Sequence, residues 1–108
     1  METEIFDMDL SVRAYNCLKR AGITTYSALF SRIDEGIPSL FKIRFINTRC
    51  VGEVLKLAQK NGYPANEKVE DYIADLRKDP EVTAESIAYW EALSDSLRLI
   101  NLDTPKAN

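Results

Sequence analysis

The sequence predicts an all-α fold: a compact bundle of short helices with helix–hairpin–helix units, followed by two additional C-terminal helices. Three observations carry this expectation. Apolar residues recur three and four apart in one stretch after another, which is the spacing of a helix face. Most of these stretches open on Ser, Thr or Asn, residues that cap helix N-termini, and most close on a glycine or a proline break. The four stretches within residues 1–62 are short and tightly joined, as paired hairpins require.

Ser11 caps a first helix that runs to about Arg20, and Gly22 stops it. Ala14, Tyr15, Leu18 and Ala21 form its apolar face, while Arg13, Asn16, Cys17 and Arg20 line the opposite one. Thr25 caps a second helix to about Ile33, with Tyr26, Leu29 and Phe30 inward, and Asp34-Glu35-Gly36 breaks it. Pro38 suits the first turn of a short third helix, expected from Ser39 to about Ile43. Arg44-Phe45-Ile46 is a tight turn, after which Asn47 or Thr48 caps a fourth helix to about Lys60. Val51, Val54, Leu55 and Ala58 give that helix its buried face; Arg49, Glu53, Lys56 and Lys60 look outward. The expected core is Leu10, Tyr15, Leu18, Leu29, Phe30, Val51, Val54 and Leu55.

Residues 62–66, which include Pro64, read as a junction rather than a long linker. Val69, Tyr72, Ile73 and Leu76 then mark an amphipathic helix over 66–77, broken at Asp79-Pro80. Thr83 caps a last helix to about Leu99, striped by Ile87, Trp90, Leu93, Leu97 and Ile100. The sequence therefore divides into a helical domain, 1–62, and an acidic helical extension, 63–108. The first part carries nine Lys/Arg and seven Asp/Glu; the second carries five Lys/Arg and ten Asp/Glu. The first can face a polyanion and the second would repel one.

Composition excludes several classes of function. With no histidine, Ser-His and Cys-His nucleophilic catalysis and most zinc catalysis fall away. No phosphate-cradling glycine loop or nucleophile elbow occurs, and adjacent acids such as Asp34-Glu35 and Glu70-Asp71 read as solvated surface. An enzyme is not expected, nor a cofactor, a metal or a small-molecule substrate. Cys17 and Cys50 lack zinc-ligand spacing, and a cytoplasmic protein with free thiols is the simplest reading. No apolar run is long enough to cross a membrane, and the acidic start, Met1-Glu2-Thr3-Glu4, does not read as a signal peptide.

Helix–hairpin–helix units present free backbone N–H groups at a helix N-terminus, where the helix dipole also favours an anion. Arg49, one turn inside the fourth helix, strengthens such a site. At this point the residues carry a resemblance. Leu10-Ser11-Val12-Arg13-Ala14-Tyr15-Asn16-Cys17-Leu18-Lys19-Arg20-Ala21-Gly22-Ile23 resembles the first hairpin of the C-terminal domain of the bacterial RNA polymerase alpha subunit, whose pattern is L-S-V-R-S-x-N-C-L-K-x-x-x-I. The resemblance covers about residues 5–62.

It implies a five-helix fold, binding in the minor groove of A/T-rich promoter DNA, and contact with transcription proteins. It implies that Arg13 enters the minor groove, supported by Asn16 and Cys17. A narrow A/T groove concentrates negative potential and accepts a guanidinium readily. The family's second contact pattern, N-L-G-K-K-S-x-x-E, matches Phe45-Ile46-Asn47-Thr48-Arg49-Cys50-Val51-Gly52-Glu53. Here Asn47 replaces a glycine and can still adopt a left-handed turn. Thr48 loses a lysine, Arg49 keeps the charge of the next, and Cys50 replaces a serine. The implied DNA-binding set is Arg13, Asn16, Cys17, Asn47, Arg49, Cys50 and Glu53. The resemblance offers no counterpart to the polymerase-assembly domain, so a stand-alone relative or an excised piece is expected.

Two functional classes stay open: a DNA-binding transcription accessory module, and a protein-interaction module that binds RNA polymerase or a transcription factor without strong DNA binding. Either cysteine could instead be a small packing residue. The extension has two readings as well. Its helices either fold back on the first domain, on the side away from Arg13 and Arg49, or offer a docking surface on which Tyr89 and Trp90 are the anchors to inspect first.

Overall fold

The computed structural model describes residues 4–5 and 10–103, with side chains placed up to Ile100. Residues 1–3, 6–9 and those after Asp103 lie outside the described residues. All regular structure within them is helical: α1 Val12–Arg20, α2 Tyr26–Asp34, α3 Ile37–Leu40, α4 Thr48–Lys60, α5 Ala65–Arg77 and α6 Ala84–Asp103. The only extended pairing there is an isolated bridge between Glu4 and Thr25, where Ile5 N–H donates to the Thr24 carbonyl at 2.9 Å. That contact seats Ile5 in the core.

The expected caps form. Ser11 Oγ accepts from Ala14 N at 3.2 Å, Thr25 Oγ1 from Ala28 N at 3.2 Å, Asn47 Oδ1 from Cys50 N at 2.8 Å and Thr83 Oγ1 from Ser86 N at 3.1 Å. Each satisfies one of the donors that a helix start leaves free. The third helix begins two residues earlier than the sequence suggests. Gly36 serves as its N-cap at φ 110°, a conformation open to glycine, and Pro38 falls inside the first turn. Ser39 is then buried, where Arg32 Nε donates to its Oγ at 2.8 Å, and the helix stops at Leu40.

Among the described residues four helices, not five, precede the junction, and the fifth, α5, follows it. Of the expected core, Leu18, Leu29, Val51, Val54 and Leu55 are fully enclosed. Leu10, Tyr15 and Phe30 sit at its margin, and Ile33, Ile37 and Leu40 occupy the centre instead. Helical spacing assigns a residue to the inward face but not its depth, so it overstates how deep Tyr15 and Phe30 sit.

The extension folds onto the first four helices and shares their core: Val69, Ile73, Trp90, Leu93 and Leu97 are all buried with it. The seam runs along α4. Tyr89 Oη donates to the Thr48 carbonyl at 3.4 Å, and Gln59 Oε1 accepts from Asn66 N at 3.0 Å. Thr48, Gly52, Leu55 and Gln59 share this stripe of α4. Gly52 makes the approach possible, because a Cβ there would lie 2.9 Å from Tyr89 Oη. Between the two added helices, Arg77 pairs with Glu91 and Arg98 with Glu70.

Tyr63, at the junction, stacks on Phe30 with ring centroids 5.1 Å apart and donates its hydroxyl hydrogen bond to Asp34 Oδ1. Burial first, then that hydrogen bond, then the charges of Asp34 and Glu67 push its pKa above the ordinary tyrosine range. A phenol harder to ionise when folded stabilises the fold fully only below its unfolded pKa of about 10. Above that value the unfolded state loses the proton first, so stability falls as pH rises. Chemical denaturation at stepped pH should show this alkaline decline. Tyr63→Phe should make it shallower while costing about 1 kcal/mol at neutral pH. Tyr72 and Tyr89, also raised by burial, leave a residual slope.

Candidate nucleic-acid interface

The outer face of α1 and the turn before α4 form the two walls of one groove. Val12, Arg13, Asn16, Cys17 and Arg20 come from α1, and Phe45 stands across from them. The groove has a volume of about 430 Å³. Arg44, beside Phe45, extends it past Ala21. Arg13, Asn16 and Arg20 are exposed, whereas Cys17 is 2% exposed and forms the floor. Helical geometry explains the split: Cys17 lies at the border between the polar face and the stripe of Ala14 and Leu18.

Glu53 holds the groove's frame. Its Oε1 accepts from Ser11 N at 2.9 Å, joining the N-terminus of α1 to the middle of α4. The sequence expectation set Glu53 outward, as part of a DNA-binding set. Its carboxylate is instead half-buried and engaged with backbone, and so fixes how α1 sits on α4. Asn47 is likewise occupied. It is extended at φ −131°, because an N-cap needs that backbone region for its side chain to reach back. The left-handed residue lies two positions earlier, at Phe45, φ 67°. Left-handed backbone costs a residue with a Cβ about 1–2 kcal/mol, so the turn holds Phe45 against its own preference.

Cys50 is 3% exposed, with its N–H on the Asn47 cap. Both thiols are free and buried. Burial and the neighbouring Cys50 push the Cys17 thiol up in pKa, while Arg13 and Arg20 pull it partly back. It therefore stays a neutral packing group and weak hydrogen-bond donor rather than a nucleophile. No group of three or more potential metal ligands occurs among the described residues, and no helix there is long and apolar enough to cross a membrane.

The basic groups of this surface stand apart from the ion pairs. Among the described residues those pairs are Arg77 with Glu91 and Arg98 with Glu70 and Asp95, all within α5 and α6. Arg13, Arg20, Arg44 and Arg49 take part in none of them.

Of the expected site residues, the fold brings Arg13, Asn16 and Cys17 into the groove and sets Arg49, exposed, on the first turn of α4. Two expectations about the extension need correcting. Trp90 is 4% exposed, set edge-on to Phe41, Tyr72 and Tyr89, so it anchors the protein's own core rather than a partner. Nor does α6 keep clear of the second patch: Tyr89, partly exposed, bonds to Thr48 beside Arg49. Gly52 leaves room for this contact, since a Cβ there would crowd Tyr89 Oη. Sequence reasoning also left Val12, Arg20, Arg44 and Phe45 out of the site. For Phe45 a signal existed, since the family's N-L-G pattern opens on asparagine where an aromatic stands here.

Paired helical hairpins that set an arginine, in no ion pair among the described residues, and an asparagine beside a buried cysteine define a small helical module with a basic groove. The family model for the C-terminal domain of the bacterial RNA polymerase alpha subunit matches residues 1–60, and the protein belongs to that family. Curated relatives named DNA-directed RNA polymerase subunit alpha agree. That of Symbiobacterium thermophilum is 48% identical over 54 residues, 50% of this sequence and 16% of the relative. That of Desulforudis audaxviator is 37% identical over 81 residues, 75% of this sequence and 21% of the relative, an alignment that runs past residue 62. That of Moorella thermoacetica is 40% identical over 62 residues, covering 57% and 19%. The matched region thus spans about a fifth of the length of these relatives. No solved structure matches it.

Proposed function

We propose that the protein is a non-catalytic DNA-binding transcription module of the cytoplasm, whose α1 groove takes the minor groove of A/T-rich duplex DNA. The observation that carries this reading is the guanidinium of Arg13, in no ion pair among the described residues, beside Asn16 in a groove that no carboxylate among them lines. Arg13 reads the narrow groove by charge and shape, Asn16 offers donor and acceptor to base edges, and Arg20 and Arg49 meet the flanking phosphates. Residues 1–62 supply the binding surface, and α5 and α6 brace it by packing against α4.

Titration of an A/T-rich duplex at stepped salt tests this. Three or four phosphate neutralisations predict a slope of about −3 in log affinity against log salt, together with a preference over a G/C duplex. Binding without that preference, or none at low salt, sinks the reading.

A second reading has its own support in Thr48, Cys50 and the approach of α6, which together leave Arg49 the one cation of the second patch. On that reading the surface binds RNA polymerase or a transcription factor, and polymerase capture persists where duplex binding is absent.

A further inference from the structure

Phe45 is the one non-glycine residue among the described residues with a positive φ, at 67°. Its ring is 57% exposed at the tip of the turn between α3 and α4. Apolar burial does not explain an aromatic there, since the residue is exposed and its backbone is strained; its contacts are two guanidinium groups. The surroundings are specific. The Arg20 guanidinium lies 5.8 Å from the ring centroid and that of Arg44 5.1 Å, so two cations flank the ring. The ring also lines the same groove as Arg13 and Asn16, and Val12, 76% exposed, adds apolar surface at its other end.

We infer that Phe45 is an apolar wedge: when Arg13 occupies the minor groove of a duplex, the Phe45 ring enters the adjacent base step and partly unstacks it. This rests on the DNA reading above and adds to it a deformation of the DNA and a preference for steps that open easily. Minor-groove proteins that bend DNA insert apolar side chains in this way, and pyrimidine–purine steps resist least. A wedge must be exposed, rigidly presented and close to phosphate-binding cations. The left-handed turn presents the ring, and as the ring enters the step Arg20 and Arg44, which lie over it in the free protein, swing onto the flanking phosphates. An exposed aromatic also suits a protein partner. The two flanking arginines, and a groove lined by no carboxylate among the described residues, favour a polyanion that has bases to stack.

The test compares the full-length protein with Phe45→Asn, since asparagine tolerates left-handed backbone and the variant keeps every arginine. Both are titrated against an A/T-rich duplex carrying 2-aminopurine at a central TA step, with end-labelled dyes reporting the bend. The wild type should raise 2-aminopurine fluorescence and shorten the dye separation. Phe45→Asn should be at least as thermostable and still bind. It should lose both signals and about tenfold or more in affinity, as expected when an aromatic stacking contact is removed. If wild type and variant bind with equal affinity and equal 2-aminopurine signal, the wedge is overturned while the DNA reading stands. If the wild type does not bind the duplex, both fall. A variant that binds DNA like the wild type but no longer captures RNA polymerase assigns Phe45 to a protein surface and also overturns the wedge.

Discussion

Arg13→Ala is expected to lower affinity for an A/T-rich duplex by about ten- to hundredfold, the range for losing a base-groove arginine. Arg77→Ala should change it less than about twofold. Both substitutions remove one positive charge, so a purely non-specific attraction to DNA would respond to each alike. Their settings differ. Arg13 projects from α1 into the groove with Asn16 and takes part in no ion pair among the described residues. Arg77 closes α5 and is already paired with Glu91. Arg13→Lys separates charge from shape, because lysine keeps the charge but lacks the planar fork that fits a narrow groove. It should recover part of the salt dependence and little of the A/T preference. Affinities measured by anisotropy at fixed salt decide the matter. Equal losses for Arg13→Ala and Arg77→Ala would mean that the α1 groove is not the DNA site.

Much of this site was legible in the sequence because its first half lies within one helix. Arg13, Asn16, Cys17 and Arg20 share a face by spacing alone, and capping chemistry placed the start of that helix at Ser11. The burial of Cys17 was not legible, since one residue's rotation between polar and apolar faces depends on how α1 leans on α4. The lean is set by Glu53 reaching Ser11 across 42 positions of sequence, and no local pattern announces such a contact. The same holds for the second patch. Local chemistry identified Asn47 as a cap, but a residue cannot cap a helix and turn left-handed at once, so the strain moved to Phe45. Over the extension, periodicity found both helices and their apolar stripes. Which side of α4 they cover is set by long-range packing of Val69, Ile73, Trp90, Leu93 and Leu97 on the shared core, with Gly52 leaving room for Tyr89, and no local pattern announces it.

Truncation after Pro64 is expected to lower stability by about 3–6 kcal/mol, the equivalent of uncovering two buried apolar side chains on what remains. The lost cover is specific: α6 leaves the Gly52 stripe of α4, and Tyr72 and Trp90 leave Phe41. Tyr63 stays, and with it the stack on Phe30 and the bond to Asp34. A helical domain of about sixty residues has little stability to spare, so the truncated protein should melt far lower and less cooperatively, as circular dichroism will show. The effect on DNA should have the opposite sign. The extension carries ten of the seventeen Asp/Glu carboxylates, and Glu81 lines one cleft with Thr48, beside Arg49. A carboxylate near the second patch repels phosphate over about 8 Å at physiological salt. Glu81→Gln tests this in an intact fold: affinity should rise about two- to threefold at low salt, as for a weakly screened like charge, and the gain should vanish at high salt. A rise of orders of magnitude would mean that the acidic helices lie across the basic face in solution. An unchanged affinity at every salt would place Glu81 beyond reach of the bound phosphates, leaving α5 and α6 to act through the stability of α4 alone.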